Sequence, residues 1–284
     1  MTDLLADATD LGAVTLRVAD LDSMTTYYAD GVGLQVLATG RDSIVLGRGD
    51  RAAVELRHAP ELQHAPTSAA GLFHTAIVFG SQGALARAAY SVATRHPASF
   101  TGSSDHLVSK ALYFDDPEGN GVELYWDRPR AEWPEPEPGS LVRMATLPLD
   151  PNRFLREHLD QDAQADAFVG HVHLKVGDIP SARAFYVDVV GFEVTVAFGD
   201  QALFVSAGGY HHHVGMNTWA SNGAGPRTPA LGLGQVTIRV PDADALAGLR
   251  DRLRISGVPV EDDGDTLTFA DPWRNIVRAS ITPR

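Results

Sequence analysis

Two stretches of this chain overlay without a gap: DLDSMTTYYADGVGLQV, from Asp20 to Val36, and DIPSARAFYVDVVGFEV, from Asp178 to Val194. Each follows an alternating apolar run, AVTLRV from Ala13 or HVHLKV from His171. Apolar residues at every second position turn one side of a strand to the core, so both runs predict strands. An Asp then opens a helix, Tyr28 or Tyr186 packs inward from it, and Gly33 or Gly191 ends it. A further strand follows the glycine, giving a β-α-β unit written twice.

Weaker copies lie between and after these. HTAIVFGSQGALARAAY starts at His74 and leads to DPEGNGVEL, whereas QVTIRVPDADALAGLRD starts at Gln235 and leads to DPWRNIVRA. The two endings align residue for residue, with Asp116, Pro117 and Asn120 matching Asp271, Pro272 and Asn275 in a turn before a last strand. Four β-α-β-β-β quarters account for nearly the whole chain, an α+β fold. The expected division is an N-terminal module over 10–127, a linker rich in Pro, Arg, Glu and Asp over 128–167, and a C-terminal module over 168–282.

Composition narrows the chemistry. The length of 284 residues suits two domains, and 44% hydrophobic with 21% charged residues is an ordinary globular balance. A net charge of −13 argues against nucleic acid or an anionic membrane surface as partner, since either calls for a basic patch. No apolar run is long enough to span a bilayer. The acidic opening MTDLLADATDLG lacks the basic and apolar segments of a secretory leader, so a cytoplasmic location is expected. The absence of cysteine removes disulfides, thiolate nucleophiles, zinc–thiolate sites and iron–sulfur clusters, which leaves His, Asp and Glu to hold any metal.

Repeated β-α-β-β-β units with a strand-borne His and a late Glu resemble the vicinal oxygen chelate superfamily, which includes glyoxalase I, fosfomycin-resistance proteins and extradiol dioxygenases. The run from Asp105 to Glu123 is more specific. It places His106, then Tyr113, then Asp116-Pro117-Glu118-Gly119, then Glu123, and so resembles the extradiol signature, departing from it at Ser104. In overall layout the chain is most similar to the catechol 2,3-dioxygenase-like group. The resemblance implies curved mixed sheets enclosing clefts and iron(II) held by two His and one Glu, with three coordination positions left open.

The resemblance also implies where those ligands stand: on the first strands of two paired units and the last strand of one. The C-terminal half offers His171, Gln235 and Arg278 there, and an arginine stays protonated and cannot bind a cation. The N-terminal half offers Ala13, His74 and Glu123. Pairing the second quarter with the third completes the set as His74, Glu123 and His171, and seats His106 and Tyr113 beside it. The first and fourth quarters then form a vestigial cleft around Ala13, Gln235 and Arg278. His173 lies on the same strand face as His171 and competes for its role.

An acid–base histidine is implied near the end of the third quarter, in Tyr210-His211-His212-His213-Val214. Alignment of Val214 and Met216 favours His212, within one residue either way, and a regular strand would turn His211 and His213 away from it. The expected activity is extradiol cleavage of a catechol-type diol with O2 on iron(II), and manganese(II) accepts the same ligands. Expected partners are the diol and O2, and the resemblance carries homo-oligomerisation as a further expectation. Two other activities compete: a glyoxalase-like isomerase or thiol transferase, which would call for a fourth protein ligand, and a metal-free protein that binds an aromatic ligand.

Overall fold

The computed structural model describes residues 4–162 and 166–282. The first quarter is β1 (Asp10–Val18), α1 (Leu21–Thr26), β2 (Gln35–Thr39), β3 (Ser43–Arg48) and β4 (Arg51–His58). The second is β5 (Gly71–Phe79), α2 (Gln82–Arg95), β6 (Phe100–Asp105), β7 (Ser109–Asp115) and β8 (Gly121–Asp127). A short strand β9 (Leu147–Pro148) and a helix α3 (Pro151–His158) follow. The third quarter is β10 (Ala167–Lys175), α4 (Ile179–Arg183), β11 (Glu193–Phe198), β12 (Ala202–Ser206) and β13 (Val214–Asn217). The fourth is β14 (Gly232–Val240), α5 (Ala243–Ile255), β15 (Val260–Asp262), β16 (Thr266–Ala270) and β17 (Ile276–Ile281).

These strands form two curved mixed sheets, as the α+β reading expects. One runs β15-β16-β17-β14-β1-β4-β3-β2, the other β11-β12-β13-β10-β5-β8-β7-β6-β9. The first quarter therefore joins the fourth and the second joins the third. In each sheet the two first strands meet antiparallel at the centre, β1 with β14 and β5 with β10. Each is flanked on its other side by the last strand of its own quarter in parallel, as β8 flanks β5 and β13 flanks β10.

Strand alternation sorts the faces. Ile77, Val122, Leu124, Val172 and Leu174 point into the main hydrophobic core, so their neighbours on the same strands face the concave side. The four helices of the quarters start alike: Asp20, Ser81, Asp178 and Asp242 each accept from the backbone N–H three residues on. Such a cap stabilises a helix by about 1 kcal/mol. No helix of the described residues is long and apolar enough to cross a membrane.

A detail absent from the sequence reading is that α1 and α4 run on as π turns, Tyr27–Gly31 and Ala184–Val189. The chain leaves each turn through a glycine at positive φ, Gly33 at 87° and Gly191 at 98°, where a side chain would be strained. From these turns the Tyr28 hydroxyl donates to Asp116 Oδ2 (3.1 Å) and the Tyr186 hydroxyl to Asp271 Oδ2 (3.0 Å). The other oxygen of each Asp accepts backbone N–H groups of its own turn, from Glu118 and Asn120 or from Trp273 and Asn275. The shared Asp-Pro endings thus tie each β-α-β unit to the quarter that follows it.

Candidate metal centre and its cavity

The concave face of the second sheet is built around Ala76. On β5 this residue is in register with His171 on β10 to one side and Glu123 on β8 to the other, and His74 lies two residues before it on the same face. All three polar side chains thus rise around a methyl group. Glu123 Oε2 lies 2.9 Å from His74 Nε2 and 3.1 Å from His171 Nε2. The exposures are 7% for His74 and 2% each for Glu123 and His171.

Burial opposes the charge on Glu123, but the two imidazoles beside it prevail and hold its carboxyl well below the usual range. Burial pushes His171 down to about 4, so its ring is neutral and has a lone pair to give at neutral pH. His74 Nε2 is buried and, for all its closeness to the carboxylate, makes no well-directed hydrogen bond. Two imidazole nitrogens crowded on one carboxylate oxygen, one of them unsatisfied, are what a cation placed between them would relieve. Two imidazole nitrogens and one carboxylate oxygen suit a divalent first-row metal.

His106 and Tyr113 stand beside this group. Tyr113 on β7 is in register with Glu123. Burial first, and the Glu123 carboxylate second, push the Tyr113 phenol well above its ordinary value, so it stays a donor. His106 follows β6 in a tight turn where Leu107 takes φ 70°, a strained value for leucine that Asp105 Oδ1 supports by accepting Leu107 N–H (2.9 Å). His106 Nδ1 donates to the Ala145 carbonyl at 2.8 Å, which leaves Nε2 to accept from the Tyr113 hydroxyl at 2.7 Å.

His212 is buried on the cavity wall with its ring centroid 4.1 Å from that of His171 and 4.9 Å from that of Phe204. The expectation of a regular strand through the three histidines is corrected, because β13 begins only at Val214. His211 does not turn away from His212: their Nδ1 atoms are 2.8 Å apart. The Thr195 hydroxyl donates to the His211 carbonyl, which takes that group out of a strand ladder, and the backbone pairs with β10 and β12 only from His213, through Val172 and Val205. His213 turns elsewhere and accepts Ala207 N–H at its Nδ1 (3.2 Å).

His173 lies near the triad and in register with His74, but its Nε2 is engaged by the Asn217 amide at 3.0 Å. Among the described residues, two sets of donor atoms lie within 4.8 Å of one another: His74, Glu123 and His171, and His171, His211 and His212. The second contains no carboxylate. In the other sheet Gln235 bonds Thr237, Arg278 bonds Thr266, and Glu55 bonds Thr15 and Arg57. Glu55 is in register with Thr15 as Glu123 is with Ala76, a correspondence the sequence alignment does not show.

A cavity of about 500 Å³ opens over the triad. Phe73, Phe198 and Trp219 line it yet remain 37%, 50% and 57% exposed, which sets large aromatic surfaces at its mouth. Met144, Ala145 and Thr146, from the segment between the halves, also line it. Sequence reasoning missed these, and also Tyr125 and Asp127. Those two share a face with Glu123 on β8 by simple alternation, so period-two counting from Glu123 would have found them.

Two sheets of paired β-α-β-β-β units with a His2Glu grouping on a concave face define a vicinal oxygen chelate protein. The chain belongs to the glyoxalase/bleomycin resistance protein/dioxygenase superfamily, whose family model matches residues 10–124 and 168–277. It is similar to a catechol-2,3-dioxygenase of Bacillus subtilis (strain 168), with 37% identity over 279 residues, 96% of either chain. Among solved structures, glyoxalase I from Zea mays shares the fold, with a TM-score of 0.58 and 16% identity over 96% of this chain and 92% of that one. The cppA protein from Streptococcus pneumoniae TIGR4 does so with a TM-score of 0.55 and 10% identity, over 96% and 99% of the two chains.

Proposed function

We propose that this protein is a non-haem iron(II) dioxygenase that opens the ring of a catechol-type diol with O2, between a hydroxylated carbon and its unhydroxylated neighbour. The observation that carries the reading is the convergence of His74, Glu123 and His171 on one point beneath a cavity that also presents His212, His106 and Tyr113. The similarity to a catechol-2,3-dioxygenase over nearly the full chain supports it.

His74, Glu123 and His171 would hold the metal at the base of the cavity. When bound, the metal supplies the place where the diol and O2 meet and lowers the pKa of the diol hydroxyl. His212 takes the proton released by the diol and later returns it, a task suited to an imidazole. Tyr113, whose hydroxyl proton rests on His106 Nε2, would turn it to an oxygen of the bound diol, and His106, anchored on the Ala145 carbonyl, holds the phenol in place for this. The aromatic wall keeps bulk water away from the ring.

The same wall bears on substrate class. No lysine or arginine lines the cavity among the described residues, so nothing there offers an ion pair to a carboxylated ring. About 500 Å³ also exceeds what a single unsubstituted ring needs. The substrate is a diol with an uncharged, apolar substituent lying against Phe73, Phe198 and Trp219.

Anaerobic loading with iron(II), followed by a panel of catechols and air, tests the reading through the yellow colour of a ring-opened semialdehyde. Colour that depends on iron, vanishes in Glu123→Ala and is faster with aryl- or alkyl-substituted catechols than with carboxylated ones is expected. A Glu123→Ala protein that keeps full iron and full activity overturns the assignment. Tight metal binding without cleavage of any catechol would point to an isomerase or transferase instead.

A further inference from the structure

β8 continues past Glu123 with Tyr125 and Asp127 on the same face, and these lead into a hydrogen-bonded chain that the proposed reaction does not use. Asp127 Oδ2 accepts from the Tyr210 hydroxyl (2.7 Å), and Tyr210 in turn contacts the Tyr125 hydroxyl (2.7 Å). Asp127 Oδ1 accepts from His211 Nε2 (2.9 Å). The other ring nitrogen of His211, Nδ1, meets His212 Nδ1 at 2.8 Å.

The polarity of this chain follows from what each atom can offer. A carboxylate has only lone pairs, so the proton on His211 must be at Nε2. In a neutral ring that leaves Nδ1 bare, and a bare Nδ1 can only accept. His212 must then carry its proton on Nδ1, which leaves its Nε2 bare. That nitrogen has no protein partner among the described residues, and its ring lines the cavity.

We infer that Asp127, acting through His211, fixes His212 in the Nδ1–H tautomer, so that His212 presents a lone pair and not an N–H to the substrate. Asp127 and His211 are positioning residues, remote from the substrate. The reverse tautomer would place a donor in the cavity, and a donor cannot take a proton from a hydroxyl. The inference rests on the dioxygenase reading only for the use to which the lone pair is put, because the tautomer itself belongs to the protein without substrate or metal.

The test is long-range 1H–15N NMR of the full-length, metal-free protein with 15N-labelled histidine, His212 being assigned by the signal lost in His212→Gln. A protonated Nδ1 and a bare Nε2 are expected in the wild type. Asp127→Leu should lose this preference, whereas Asp127→Asn, whose amide oxygen still accepts His211 N–H, should keep it. With iron loaded, Asp127→Leu should lower kcat by about 100-fold, the usual worth of an acid–base group, with KM and iron content unchanged, and Asp127→Asn should recover most of the loss.

A wild-type His212 protonated at Nε2, or an Asp127→Leu protein with the wild-type tautomer, overturns the inference. If Asp127→Leu does not fold, His211→Phe removes the same acceptor and carries the same expectation. The wild-type spectrum decides by itself in either case. A protein with the expected tautomer that cleaves no diol refutes the dioxygenase reading and leaves the inference standing, whereas a working dioxygenase with the reverse tautomer refutes the inference alone.

Discussion

Ala76 has no chemistry to offer, yet the centre depends on its size. Its methyl group sits fully buried, in register between Glu123 and His171, and the three donor groups close over it. Ala76→Val would push two methyl groups into that space. We expect at least a tenfold loss of metal affinity, read by titration, with a stability cost of about 1–3 kcal/mol. His212 differs in kind, because it flanks the triad without belonging to it. His212→Ala should retain stoichiometric iron and lose turnover by on the order of 100-fold. Loss of iron in that variant would instead make it a ligand.

Elements, more than residues, decide what could be read in advance. The quarters were legible because a β-α-β unit leaves a repeated pattern of alternation, capping Asp and closing Gly, as Asp20 to Gly33 and Asp178 to Gly191 show. The candidate triad was legible because the resemblance places ligands at equivalent strand positions, and with Ala13 failing one half and Arg278 the other, pairing the second quarter with the third completes the set. The π turns were not legible, since Tyr27–Gly31 and Ala184–Val189 differ from an α-helix by one residue of hydrogen-bond span, which periodicity does not resolve. The path of His211–His213 was not legible either, because Thr195, on another strand, decides it. The π turns nevertheless bear on stability through the buried bonds from Tyr28 and Tyr186. Tyr28→Phe and Tyr186→Phe should each cost about 1–3 kcal/mol in urea unfolding, since each leaves a buried carboxylate short of a donor. The two losses should add, because the bonds share no partner.

Across the whole molecule the buried histidines make folding sensitive to acid. Burial pushes His213 down to about 4, and its Nδ1 accepts a backbone N–H that protonation would displace. In the unfolded chain the same ring titrates near 6.5. Between those values the unfolded state holds more protons, so stability rises with pH through this window and is lost as pH falls from about 6.5 toward 4. One such ring contributes on the order of 3 kcal/mol. Unfolding of the metal-free protein measured across this range should show that slope, and His213→Asn should flatten it by about one proton; an unchanged slope would rule His213 out as its source. The way the sheets are joined has a consequence of another kind. His74 and Glu123 precede the segment between the halves and His171 follows it, while the central strand pair of either sheet also spans that segment. A chain cut there would yield two fragments with open sheet edges and an incomplete set of the proposed ligands apiece. Metal affinity of the mixture would then rise with fragment concentration, as in a split reporter, and the ion would register whether the two fragments have found each other.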